Sequence, residues 1–306
     1  LAARRLLFVA VVLIDGAAWG GLYAVAKTVI EAGGHPIGLA VYEGLGSGLL
    51  LLALCALTRR RLPLAAADAR IYLASGILGI AIPAAAIFAA TEHLPVGIVT
   101  LFFALVPVLT YGFALPVGLE RADAQRLGGL ACGLMGMLLI VLPDSSLPNP
   151  QAVGWVLIGF AACSCYAVQN LYIAKWVPAR IDTLMLSSGT LLAGGAILLP
   201  VAFASGTAIA PWPPDDPIVL GALAIAAINC VAIVLFFWLI RAAGPVFAAQ
   251  TASTTILAGV VFGAVFFGER LSPWVWAAIG LLAVGVLLVQ PRGTVAAPAQ
   301  AAEKRL

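Results

Sequence analysis

Apolar residues in this chain do not alternate with polar ones. They run on for about twenty positions at a time, the length needed to cross ~30 Å of hydrocarbon as a helix. Short polar punctuation separates the runs. Ten segments qualify as spans: 5–28, 36–58, 70–91, 95–117, 123–143, 150–174, 182–204, 217–240, 245–267 and 273–291. Pro36, Pro95, Pro150, Pro245 and Pro273 fit first-turn positions, where the missing N–H costs nothing. Asn149, Asp182 and Ser272 fit N-caps. The third, fourth and fifth segments are joined by short links and should lie antiparallel. The pattern predicts an all-α integral membrane protein with ten transmembrane helices. The first run, LAARRLLFVAVVLIDGAAWG, has features of a secretory leader, but its apolar character continues past Trp19, so it reads as a membrane helix.

Composition agrees. Of 306 residues 63% are hydrophobic and 9% charged, against about 25% charged in a soluble domain. Such a surface suits a lipid bilayer. The net charge of +3 says little alone, but its distribution gives direction. With a cytoplasmic N-terminus, Arg4, Arg5, Arg59, Arg60, Arg61, Arg70, Arg121, Arg126, Lys175, Arg180, Arg241, Arg292, Lys304 and Arg305 all fall inside, and only Lys27 and Arg270 outside. That positive-inside bias predicts a multi-pass protein of the cell (inner or plasma) membrane with both termini cytoplasmic. No basic patch interleaved with aromatics exists, so nucleic acid is not expected as a partner. The five cysteines form no CxxC and no Cys/His cluster, so no metal, cofactor or disulfide framework is expected.

The chain also repeats itself. GAAWGGLYAV (16–25) resembles GFAACSCYAV (159–168), Pro95-Val96 matches Pro245-Val246, Glu120-Arg121 matches Glu269-Arg270, and Gly136 matches Gly285. The matches keep their order, which predicts two five-helix halves, 1–145 and 146–291, followed by a cytoplasmic, disordered tail, 292–306. Five is odd, so the second half must be an inverted copy of the first. Inverted repeats commonly place a substrate site at their interface near the midplane.

These features resemble the drug/metabolite transporter superfamily, specifically its EamA-type members. The residues that carry the resemblance are Trp19-Gly20, the Pro-Val starts at 95 and 245, the ends ALPVGLER (114–121) and AVFFGER (264–270), and a Gly-rich last helix in each half. The resemblance implies a secondary transporter or facilitator, often an exporter of amino acids and related metabolites. It also implies a central cavity built by helices one to four and six to nine, with the fifth and tenth bracing the outside. Family members often carry a basic residue in the second helix; this chain has Glu43 in that region, within VYEGLGSG.

Candidate chemistry starts with DGAAWGGLYAVAK, where Asp15, Trp19, Tyr23 and Lys27 recur every four residues. Four residues advance a helix by slightly more than one turn, so the stripe rotates by about 40° per step. Asp15 lies about 13 Å in from Leu6, near mid-membrane, where an ionisable group costs about 2.5 kcal/mol or more against lipid. It should face protein or water, as one wall of a polar path or in a structural pairing. Lys27 reads as an anchor reaching for the interface, and Gly16 and Gly20 as a close-packing face. Glu43 fits a substrate amine or a proton, or a pairing with an amine such as Lys27; Ser47 fits a bond back to its own helix. In the second half Tyr166 and Asn170 correspond to Tyr23 and Lys27. QTASTT offers Gln250 and Thr254 on one side and Thr251 and Thr255 on another, against an apolar counterpart, Phe103, in the fourth helix. The predicted substrate-binding set is therefore Asp15, Trp19, Tyr23, Glu43, Phe103, Tyr166, Asn170, Gln250 and Thr254, with Asp15 and Glu43 as candidates for proton coupling.

The function this predicts is alternating-access movement of a small organic metabolite, an amino acid or a related amphipathic compound, with export implied by the resemblance. The runner-up is a passive channel. A membrane-embedded enzyme is disfavoured, because Ser47 lacks a Gly-x-Ser context and both histidines are peripheral. No Gly-Lys-Ser/Thr phosphate loop is present. A homodimer is compatible with the sequence but not indicated by it.

Overall fold

The structure is a computed structural model that describes residues 2–141, 152–249 and 251–288. The expected boundary between halves near 145, the tail from 292, the caps Asn149 and Pro150, and Gln250 lie outside the described residues. Among the described residues there is no strand. The helices are α1 (Ala2–Glu31), α2 (Pro36–Leu57), α3 (Ala66–His93), α4 (Val96–Val117), α5 (Ala124–Val141), α6 (Ala152–Trp176), α7 (Thr183–Ala204), α8 (Pro217–Ala243), α9 (Thr251–Phe267) and α10 (Pro273–Leu288). One turn, Pro245–Ala248, precedes α9. Seven of these, α1–α4 and α6–α8, are long and apolar enough to cross a membrane. The outer surface is apolar: Leu6 is 70% exposed, and Phe203, Val265 and Phe266 are each 69% exposed. Asp15, by contrast, is fully buried. Polar groups inside and large apolar groups outside fit lipid as the solvent.

Local chemistry explains the ends. Asp182 accepts a hydrogen bond from the Met185 amide (2.9 Å), Asp216 from Ile218 (2.7 Å) and Ser272 from Val275 (3.3 Å), capping α7, α8 and α10. Pro95 departs from expectation. It sits just before α4 with extended ψ rather than in its first turn, and it has no side-chain acceptor. Glu269, far along the chain, supplies the cap instead, accepting from the Val96 amide (2.7 Å) and the Gly97 amide (3.0 Å). At its other end α4 stops at Gly118, whose φ of +75° is the left-handed conformation that closes a helix.

Two helices widen into a π turn, at Tyr42–Gly46 in α2 and Ile77–Ala81 in α3. The second has a covalent cause. Pro83 has no N–H for the Gly79 carbonyl, and the Ile82 amide bonds back to Ile77 (3.2 Å), one residue further than in an α-helix. Pro107 likewise stands four residues after Phe103, and the backbone at Phe102–Ala104 tightens into a 3₁₀ turn.

Packing runs across the chain rather than within its halves. α1 packs on α8 and α9, α6 on α3 and α4, α7 on α2 and α3, α4 on α9, and α5 on α10. Gly16 and Gly20 make the close approach expected of them: a Cβ on Gly16 would lie 2.6 Å from the Thr251 carbonyl oxygen, and one on Gly20 would lie 2.9 Å from that of Thr255.

Candidate functional site

Between α1, α2, α3, α4, α6, α8 and α9 lies a narrow cavity, with about 50 Å³ of room for water centres. Its wall is formed by Trp19 and Tyr23 of α1, Glu43 of α2, Gly79 and Ile80 of α3, Phe103 and Val106 of α4, and Tyr166 and Gln169 of α6. Asn229, Ile233 and Phe236 of α8 complete it, with Ala249, Ala252 and Thr255 at and beyond the start of α9. Both π turns open onto it, since Glu43 belongs to one and Gly79 and Ile80 to the other. π turns recur at functional sites because they re-aim side chains that a regular helix would point elsewhere.

The aromatic groups form a connected frame. Tyr23 stacks on Phe103 (5.2 Å between centroids) and meets Phe88 edge-on (6.1 Å), and Phe103 leans on Tyr166 (5.8 Å). Trp19 abuts Phe236 (4.9 Å) and donates its indole N–H to Asn229 Oδ1 (3.3 Å). The two tyrosines that correspond in the sequence repeat meet here, both within electrostatic reach of Glu43. Glu43 is 5% exposed, and its carboxyl makes no hydrogen bond or ion pair with any described residue.

Of the residues singled out in the sequence, Trp19, Tyr23, Glu43, Phe103 and Tyr166 are brought together on this wall. Asp15, Asn170 and Thr254 are not. Asp15 lies two steps before Tyr23 on a stripe that turns about 40° per step. It is buried away from the cavity with neither carboxyl oxygen bonded. Asn170 donates to Thr110 Oγ1 (3.4 Å) and its Oδ1 has no partner. Thr254 sits where a side chain on Gly16 would go, its Cβ 2.4 Å from that position, and leaves Thr255 to line the cavity. Gln250 is outside the described residues.

Two further expectations change. Lys27, read as an anchor, is held by an ion pair: its Nζ bonds Glu269 Oε1 at 3.0 Å, with the two side chains only 15% and 9% exposed, so it is not the partner of Glu43. Ser47 does not bond to its own helix but donates across to the Ala226 carbonyl of α8 (2.9 Å). Sequence reasoning also missed Gln169, which lies flat over Gly79 and donates to Ser75 O (2.9 Å) and Oγ (3.1 Å). It sits three residues after Tyr166 and so shares a face with it, as Asn170 does at four.

Both ends of the bundle are fastened. At one end, Lys27, Glu269 and the start of α4 form the cluster described above, beside an open crevice of about 480 Å³ lined by Glu31, Glu92 and His93 among others. The rings of Tyr23, Phe88 and Phe103 lie one or two helical turns from that crevice, toward the cavity. At the other end Arg180 pairs with Asp68, Arg60 with Asp182 (2.5 Å), and Lys175 donates to the Val117 carbonyl (2.9 Å). No cluster of metal-ligating side chains occurs among the described residues.

A bundle of apolar-surfaced helices around a largely apolar cavity that holds one carboxyl among the described residues defines an integral membrane protein. The chain belongs to the EamA-like transporter family, whose sequence model matches twice, at residues 6–142 and 153–290. It is 27% identical to "Uncharacterized inner membrane transporter YedA" of Escherichia coli strain K12, over 89% of this chain and 86% of that protein. The protein of that name from Escherichia coli O157:H7 matches equally. A solved crystal structure shares the fold, with a TM-score of 0.55 at 18% identity over 91% of this chain and 96% of that one.

Proposed function

We propose that this protein is a secondary carrier of the inner membrane that moves a small amphipathic organic solute bearing an amine, such as an amino acid or a related compound, by alternating access. The observation that carries the proposal is the narrow cavity, walled from both halves of the chain, with one carboxyl, unpaired among the described residues, set among aromatic rings. Ten crossing helices form two inverted five-helix units with both termini cytoplasmic. Three things support that arrangement. The family model matches twice. Fourteen of sixteen Lys and Arg fall on one side. Exchanging α1–α5 with α6–α10 maps the main helix contacts onto each other, α1 with α8 and α9 becoming α6 with α3 and α4. The cavity is smaller than the ~300 Å³ or more of a typical ligand pocket. Substrate therefore enters when the helices rock apart, and the direction of net movement is outward, in line with the family resemblance.

Uptake by proteoliposomes tests the reading. A carrier gives saturable uptake that speeds up when the same solute is trapped inside; a channel gives flux that neither saturates nor responds to trapped solute. Cysteines introduced at Ala3 and Gln300, in a background lacking the native thiols, should both react only from the cytoplasmic side.

In this scheme Lys27–Glu269 is the outer latch. It ties α1, the start of α4 and the end of α9 together beyond the aromatic frame. Glu269→Ala removes the ion pair and the cap together. The expected outcome is that a cysteine replacing Phe103 reacts with a membrane-impermeant maleimide from the outer side about tenfold faster, as for an equilibrium moved by ~1.4 kcal/mol. An unchanged rate would remove the latch from the mechanism.

A further inference from the structure

The charge inventory of the cavity is one-sided. Among the described residues its wall holds one carboxyl, Glu43, and no Lys, Arg or His. Two of the groups that could receive a ligand carboxylate are already committed. The Gln169 amide N–H groups go to Ser75, and the Asn229 amide reaches the Glu43 carbonyl (3.5 Å) and Ser47 Oγ (3.4 Å). Lys27, one turn beyond Tyr23 on α1, is held by Glu269 and does not line the cavity. A positive group, in contrast, finds a carboxyl with no bond to any described residue and a wall of aromatic rings, a combination that attracts cations, more so where water is excluded. A buried charge without a partner is costly, and a ligand of opposite sign removes that cost for both.

From this we infer that the cavity selects net-cationic aromatic amines over zwitterionic amino acids and over anions. The inference rests on the carrier reading and narrows its substrate: the ammonium group meets Glu43, and a flat apolar body lies among Trp19, Tyr23, Phe103 and Tyr166.

Three probes share one body and differ in charge: phenethylamine, phenylalanine and 3-phenylpropionate. Their binding to the purified full-length protein is measured by calorimetry. Phenethylamine is expected to bind about tenfold or more tightly than phenylalanine, with 3-phenylpropionate weakest. Glu43→Gln should lose about tenfold for the amine and under about twofold for phenylalanine, and Glu43→Asp should keep the preference. Equal or tighter binding of phenylalanine, an amine affinity unchanged in Glu43→Gln, or no binding by any probe overturns the inference. Should Glu43→Gln fail to fold, the rank order on the unaltered protein decides. Counterflow with the same probes separates this from the carrier reading. If phenylalanine is exchanged and the amine is not, the carrier stands and the cation site falls. If the amine binds but is never exchanged, the cation site stands and the carrier falls.

Discussion

Gly195→Ala is expected to destabilise the protein by about 3 kcal/mol, the upper part of the usual range for forcing extra volume into a packed interior. α7 lies against both α2 and α3, and its two adjacent glycines make the contacts. A Cβ on Gly195 would lie 2.5 Å from the Leu45 amide nitrogen and 2.9 Å from the Gly44 carbonyl carbon. One on Gly194 would lie 2.8 Å from the Gly76 carbonyl oxygen. The obstacles are backbone atoms, which cannot rotate aside as a side chain would, so whole helices must separate. Association of helices in lipid depends on such close approach, because lipid tails compete equally for apolar surface. The π turn pushed away by Gly195→Ala is the one that carries Glu43, so substrate affinity should fall along with stability. Gly154→Ala is the matched control: nothing lies within 4 Å of its Cβ position. Alanine also favours helix there, so the change should stay within about 1 kcal/mol or be favourable. Thermal unfolding of the two variants in one detergent checks this; equal midpoints would show that the glycine contact is not limiting.

The sequence carried the helices well because lipid demands it. A segment in hydrocarbon must satisfy its backbone internally and show apolar side chains outward, and both demands leave long, readable runs. The caps Asp182 and Ser272 were legible for the same local reason, whereas the cap of α4 was not: Glu269 arrives from residues far along the chain. The site was legible in part. Polar-edged aromatics deep in α1 pointed to Trp19 and Tyr23, and the repeat pointed to Tyr166. Periodicity gives an angle around one helix but not which neighbour occupies that angle, so Asp15, Asn170 and Thr254 were grouped with a wall they do not line. The apolar part of the wall, Ile80, Val106, Ile233 and Phe236, looks like any lipid-facing or core residue in a hydropathy pattern. One usable signal went unread: Gly79 and Phe103 each lie four residues before a proline, where a carbonyl loses its partner and the helix must deform.

Asp15→Asn is expected to fold about as well as the parent, within about 1 kcal/mol, and yet to lose accumulation driven by a pH gradient. The stability half follows from what the side chain does not do. Asp15 is fully buried, and neither of its oxygens has a hydrogen-bond partner. An unsatisfied buried group costs about 1–3 kcal/mol, more if charged. The amide occupies the same volume, breaks no bond in the folded protein and is itself a buried polar group, so the cost is carried over rather than relieved. The functional half follows from position. Asp15 follows Ile14 and precedes Gly16, whose backbone is pressed against α9 at Thr251 and Thr255. Thr251 Oγ1 and Ser253 Oγ in α9 are also unpartnered. A buried carboxyl with no hydrogen-bond partner in the resting fold, in a helix contact that would shift if the two halves rocked as proposed, is suited to bind a proton in one arrangement and release it in the other. Glu43 stands in the cavity and Asp15 outside it, so on the proposed scheme the first would meet the solute and the second would sense the gradient. The matching measurements are thermal unfolding of Asp15→Asn, and uptake with and without an imposed pH difference. Counterflow exchange, which needs no gradient, should persist in the variant. An Asp15→Asn protein that unfolds well before the parent, or that still concentrates solute when a gradient is applied, would make Asp15 a structural residue instead.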